Sequence, residues 1–121
     1  MPENYGLKAI VPIVPARDMQ RSLAFYTSLG FQAHPYGDGS QYAFLHMDRN
    51  ALHLRRAGAD EFLSNPGGVY IYVEDADRFY AHVLARGIVA LSPIEDRPWN
   101  CREFAIQDPD GFLLRIGHTL R

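Results

Sequence analysis

The chain has 121 residues, 47% apolar and 21% charged, values of one compact globular domain and not of a disordered, collagenous or coiled-coil chain. Its formal charge of −2 lacks the basic excess of a nucleic-acid module, and its longest unbroken apolar run, Ala9–Ala16, falls far short of the roughly 20 residues of a membrane span. Lone Cys101 leaves no internal disulfide or cysteine zinc cluster, and Met1-Pro2-Glu3-Asn4-Tyr5 has no signal-peptide form, so a cytoplasmic domain without nucleic-acid or membrane partners is expected.

Along the chain, the first extended segment is Ile10-Val11-Pro12-Ile13-Val14, rich in β-branched residues. Asp18 then stands where a carboxylate caps a helix, and Met19, Leu23 and Tyr26 recur on one helical face. Gly30 supplies the left-handed stop. Three short strands follow, Phe31–Tyr36, Gln41–Met47 and Ala51–Arg55, parted by the turn formers Gly37-Asp38-Gly39 and Asp48-Arg49-Asn50. Residues 58–66 read as a linker, with a helical turn predicted at Asp60–Ser64.

The pattern then begins again. An offset of 57 carries Ile10 to Gly67, and with it Asp18 to Asp75, Arg21 to Arg78, Ala24 to Ala81 and Gly30 to Gly87. The second round reads as strand Val69–Val73, a helix with Ala76, Phe79, Tyr80 and Val83 on its apolar face, then strands Val89–Leu91, Arg102–Gln107 and Phe112–Gly117. Ser92–Asn100 reads as a loop and Asp108-Pro109-Asp110-Gly111 as a fixed turn. The reading is an α+β single domain of two βαβββ modules, about 7–57 and 67–121.

With the repeat in place, the chain resembles the vicinal oxygen chelate superfamily of glyoxalases, bleomycin-resistance proteins and dioxygenases. The resemblance rests on Ala16-Arg17-Asp18-Met19-Gln20-Arg21-Ser22-Leu23-Ala24-Phe25-Tyr26, then Leu29-Gly30-Phe31, then Pro98-Trp99-Asn100-Cys101-Arg102-Glu103-Phe104 and Asp108–Arg115. Both ends are typical of the bleomycin-resistance branch. The resemblance implies sheets that together form a cup, helices on the outer faces, and a homodimer that exchanges modules. It also implies that the enzymes of the superfamily hold a divalent metal from the first and fourth strand of each module. Here those positions are Val11, Leu54, Gly68 and Arg115, none of which is a ligand, so no metal and no cofactor are expected. A slip of one residue would replace Leu54 by His53, and a hairpin through Asp48–Ala51 would set His46 across from it.

Alternation from Gly68 sends Tyr70 and Tyr72 to the cup, and Val69, Ile71 and Val73 to the helix. Phe104 and Ile106 are expected to share the cup face with Leu113 and Arg115, and the loop carrying Trp99 and Asn100 to overhang it. The expected function is a metal-free, antibiotic-like small-molecule binder. Its ligand-binding residues would be Trp99, Asn100, Tyr70, Tyr72, Phe104, Arg115, His53 and Arg55, with no catalytic residue. Stacking on several rings suits a planar ligand. The arginines disfavour a cationic drug unless carboxylates pair with them, with Glu103 and Asp60 the candidate partners. The alternative is a metal-dependent lyase or dioxygenase using His46 and His53. No phosphate loop or nucleophile elbow appears, and nothing in the spacing couples Cys101 to a histidine.

Overall fold

A computed structural model describes residues 5–58, 60–61 and 67–121. The order is β1 (Ile13–Ala16), α1 (Met19–Leu29), β2 (Gln32–Pro35), β3 (Tyr42–Met47) and β4 (Asn50–Arg56), then β5 (Gly68–Tyr72), α2 (Ala76–Ala85), β6 (Ser92–Arg97), β7 (Cys101–Gln107) and β8 (Leu113–Thr119). The strands form two four-stranded mixed sheets of matching order, β1-β4-β3-β2 and β5-β8-β7-β6. In each, the first strand runs parallel to the last and the remainder are antiparallel. The predicted linker turn at Asp60–Ser64 falls largely outside the described residues.

The two helices form for the same local reasons. Asp18 and Asp75 hold extended backbone, and each side chain accepts from the amide three residues on, Arg21 and Arg78. Gly30 closes α1 at a φ of 126°, and Gly87 follows α2 at 77°, conformations cheap only without a Cβ. Met19, Tyr26 and Leu29 of α1 pack on Val14, Ala43, Leu45, Leu52 and Leu54, while Val83, Phe79 and Tyr80 of α2 pack on Phe104, Ile106, Leu114 and Ile116. Each such large side chain taken fully from water contributes about 1.5–3 kcal/mol before entropy is counted. Each sheet therefore has one face covered by its helix and one open face. Among the described residues no helix is long and apolar enough to cross a membrane.

Polar contacts tie the modules together. Tyr26 of α1 donates to Asp108 Oδ2 at 2.8 Å, and Asp108 Oδ1 accepts from the amides of Asp110 and Phe112. The His82 ring meets the Leu29 carbonyl at 3.1 Å, and the Arg17 amide donates to Asp110. Burial, with the adjacent Asp108 carboxyl, pushes the Tyr26 phenol far above its ordinary range. Tyr26→Phe keeps the ring and leaves Asp108 Oδ2 without its donor. We expect a loss of about 1–3 kcal/mol in urea unfolding with unchanged far-UV circular dichroism; a change below about 0.5 kcal/mol would show that this link between modules is not stabilising.

Three local expectations are corrected. Extended pairing begins at Ile13 and runs to Ala16, so residues 10–12 precede the sheet. Val89–Leu91 forms no strand; the second strand of the second module is Ser92–Arg97, a strand where a loop was expected. It is an edge strand, where Pro93 costs no ladder bond and Glu95 and Asp96 discourage stray pairing. The β7–β8 connection runs from Asp108 to Phe112, folded over the Asp108 side chain, and pairs Gln107 with Leu113. That register sets Phe104 opposite Ile116 and Ala105 opposite Arg115. Phe104 and Ile106 consequently face α2, where Phe104 meets the Tyr80 ring edge-on at 4.9 Å, and not the open face.

Candidate functional site

The open face of the second sheet is built around one carboxyl group. Period-two alternation in β5 turns Val69 and Ile71 to the helix and leaves Gly68, Tyr70 and Tyr72 on the open face, as expected. The β7 residues that share this face are Cys101, Glu103 and Ala105, and from β8 come Arg115 and Gly117. Glu103 is only 2% exposed. Its Oε1 accepts from the Trp99 indole at 2.7 Å and from the Tyr70 hydroxyl at 3.1 Å, and its Oε2 lies 3.5 Å from Arg115 Nη1. Burial, reinforced by Cys101 and Glu103, pushes the Tyr70 phenol above its ordinary range.

Trp99 and Asn100 sit in the turn between β6 and β7. Asn100 takes a φ of 66°, which its short side chain tolerates, and its amide donates to the Arg97 carbonyl. Trp99 stays 55% exposed, with the Arg97 guanidinium 6.0 Å from its ring. The Tyr70 and Tyr72 rings lie 4.5 Å apart, and Tyr72 is 68% exposed. Both tyrosines also line a cavity of about 520 Å³ at the β5 edge, together with Val69, Ile71, Phe79 and Ile10.

On the first sheet, Leu52 and Leu54 are buried against α1, so His53 and Arg55 take the open face. The count from the β3–β4 turn had put Leu54 at the cup corner; strand pairing puts His53 there instead. The same pairing sets His53 across from Phe44, and His46 across from Ala51, so His46 and His53 are not the facing pair expected. The Tyr42 hydroxyl meets His53 Nδ1 at 2.9 Å, Phe44 meets the His53 ring edge-on, and the His34 and His46 rings stack 5.0 Å apart. Arg55 is clamped by Glu61 through two bonds of 3.0 and 2.5 Å, not by Asp60. Those bonds, with one from the Gly58 amide, hold the Glu61 carboxyl down at about 2.

The two faces correspond residue by residue. The offset of 57 takes Ile13 to Tyr70; β1 pairs Ile13 with His53, and β5 pairs Tyr70 with Arg115. His53 and Arg115 thus occupy the same place in their sheets. Of the predicted residues, Tyr70, Tyr72, Arg115, Trp99 and Asn100 belong to the second open face or its turn, His53 and Arg55 to the first, and Phe104 to the core. Sequence reasoning missed Tyr42, Phe44 and His34. The signal for the first two was present in Tyr42-Ala43-Phe44-Leu45-His46, where aromatic and imidazole groups alternate with aliphatic ones. Glu103 was read only as a partner for Arg115, whereas it anchors Trp99 and Tyr70 too.

The model of the Glyoxalase/Bleomycin resistance protein/Dioxygenase superfamily matches residues 7–116. The bleomycin resistance protein of Geobacillus stearothermophilus is 30% identical, over 92% of this chain and 96% of its own length. The chain belongs to this superfamily. Two solved structures share the glyoxalase/bleomycin-resistance fold at 24% identity and cover 93% of the chain. One is a bleomycin resistance determinant encoded on the transposon Tn5, with a TM-score of 0.81 over 98% of its length. The other is a bleomycin-binding protein complexed with bleomycin, with a TM-score of 0.79 over 99% of its length.

The metal that the superfamily's enzymes use does not fit the groups at these corners. With the register corrected, the four positions are Val11, which lies just ahead of β1, and His53, Gly68 and Arg115 within the strands. One imidazole is the sole donor; valine and glycine offer no side-chain lone pair, and arginine is a fixed cation. The His53 Nδ1 is moreover engaged with Tyr42. Among the described residues no three His, Cys, Asp or Glu side chains converge as a chelating set.

Proposed function

We propose that this superfamily member is a metal-free, non-catalytic binder that sequesters an antibiotic-like small molecule in an aromatic groove between two copies of the chain. The observation that carries the reading is the replacement of the chelating corners by Val11, Gly68 and Arg115 around a single histidine, beside open faces rich in rings. Phe44, Tyr72 and Trp99 stay 42, 68 and 55% exposed on faces no helix covers. Such rings offer a stacking surface to a planar ligand, each worth about 0.5–1.5 kcal/mol beyond its buried area. The 30% identity to a bleomycin resistance protein supports the same class of function.

Two open faces in one chain also support assembly. A second copy would bring one chain's first sheet over the other's second sheet, making a groove with Trp99, Asn100, Tyr70, Tyr72 and Arg115 on one wall and His53 and Arg55 on the other. The extended residues before β1, with Ile10 84% exposed, suit a segment that lies on a partner. Light scattering on the eluting protein should then give twice the 13.7 kDa of one chain.

The test is a titration followed through Trp99, the chain's single tryptophan. At least one member of a panel of antibiotics with planar ring systems, bleomycin included in the panel, should change its emission saturably, and treatment with EDTA should leave the affinity unaltered. Trp99→Phe should silence the signal, and Trp99→Leu, which removes the ring, should weaken binding, measured calorimetrically, by roughly 2- to 12-fold. Binding that disappears with chelation and returns with a divalent ion would favour the metal-dependent enzyme instead.

A further inference from the structure

The charges on the two open faces are unequally committed. Glu95 is bridged by Arg97 at 2.7 Å, and Glu61 is gripped by Arg55 through both oxygens. Glu103 is buried, with its oxygens facing Trp99, Tyr70 and Arg115. Among the described residues, neither open face carries a carboxylate lacking an arginine partner. Arg115 is different. Its side chain is 49% exposed, and among the described residues its one hydrogen bond is the 3.5 Å contact from Nη1 to Glu103. A guanidinium has five N–H donors in a planar fork that matches two oxygens side by side. Most of that fork is therefore unengaged, and it stands at the centre of the face, paired in the sheet with Tyr70 and adjacent to the Tyr70–Tyr72 ring pair.

From these observations we infer that the ligand is a planar aromatic acid, its rings on the tyrosines and Trp99 and its carboxylate, or a comparable oxyanion, on Arg115. Glu103 is the positioning residue. Its buried Oε1 holds the Trp99 indole while Oε2 lies beside one nitrogen of Arg115, and the carboxyl presents almost no negative surface of its own. The arrangement puts the positive end of the Glu103–Arg115 pair outward, so an acid gains a charge-assisted, two-point contact that a neutral or cationic analogue lacks. This inference rests on the binding-groove reading above and narrows its ligand class.

The test uses three probes of nearly equal size, 2-naphthoate, 2-naphthamide and 2-naphthylmethylammonium, titrated calorimetrically into the full chain at low and moderate salt. Wild type should bind naphthoate at least tenfold tighter than the amide, and the ammonium most weakly, with the preference shrinking as salt rises. Arg115→Gln should bring the acid-to-amide ratio close to one, while Arg115→Lys, which keeps the charge and loses the fork, should retain part of it. Circular dichroism checks that each variant is folded. Equal affinity for acid and amide, or a preference that survives in Arg115→Gln, overturns the ligand class while leaving the groove reading intact. Failure of all three probes, together with the antibiotic panel, overturns both.

Discussion

Gly117→Ala should destabilise the protein by about 2–3 kcal/mol and dislodge Tyr70 from Glu103. Gly117 is buried in β8, between Tyr72 of β5 and Glu103 of β7. The Tyr70 phenol crosses directly over it to reach Glu103. A methyl group there would overlap the Tyr70 hydroxyl and come within 2.6 Å of the Arg102 carbonyl and 2.8 Å of Glu103 Cβ. The hydroxyl can swing away, but the carbonyl belongs to the ladder and cannot. The loss should therefore appear both in urea unfolding and in the Trp99 emission, since Tyr70 and Trp99 share the same oxygen of Glu103. Combining Gly117→Ala with Tyr70→Phe should cost less than the sum of the two, because the collision with the hydroxyl is then absent. Additive losses would show that Tyr70 does not depend on the space Gly117 leaves.

Glu103→Leu is the second large effect. The substitution keeps a side chain of similar bulk and removes the acceptor for the Trp99 N–H and the Tyr70 hydroxyl, together with the one hydrogen-bond partner Arg115 has among the described residues. Leaving part-buried donors unpaired should cost about 1–3 kcal/mol. The indole, no longer fixed, should lose fluorescence anisotropy, and affinity for planar ligands should fall at least tenfold. Glu103→Gln retains an acceptor oxygen for Trp99 and Tyr70 and should keep most of the stability. If the Leu and Gln variants prove equivalent, the carboxyl group is a tolerated burial and not the anchor of the face.

Much of the fold was legible from the chain itself. Asp18 and Asp75, the closing glycines and the apolar faces between them carry their message locally, because a cap or a left-handed stop needs only its own neighbours. Val69-Tyr70-Ile71-Tyr72 fixed its own facing by strict alternation of aliphatic and phenolic residues. The errors arose where facing depended on something remote. Cys101–Gln107 has apolar residues on both faces, so its parity was decided by the length of the Asp108–Phe112 connection, and a shift of one exchanges Phe104 for Glu103. The same one-residue shift separated Leu54 from His53. Ser92–Arg97 escaped notice because an edge strand accepts the proline and the charges that mark a loop elsewhere. Glu103 escaped for a related reason: nothing near it in sequence shows that Tyr70, 33 residues earlier, supplies a donor.

These errors shared a consequence for the site. Moving Phe104 into the core and bringing Glu103 out beneath the cup replaces one apolar contact with a buried acceptor that organises a tryptophan, a tyrosine and an arginine. In the proposed reading, the face thereby offers a ligand rings together with one outward-facing cation, and not rings alone.

Whether the chain holds its ligand or transforms it is decided most directly by following the ligand's fate. Equimolar protein and a ligand that shifts Trp99 emission should be incubated with and without added Mg²⁺, Zn²⁺ or Fe²⁺, denatured, and the released small molecule weighed by mass spectrometry. Capture predicts full recovery at the original mass after any incubation, with protection that ends once ligand exceeds the number of grooves. A product that accumulates with time, in amounts exceeding the protein, would contradict it.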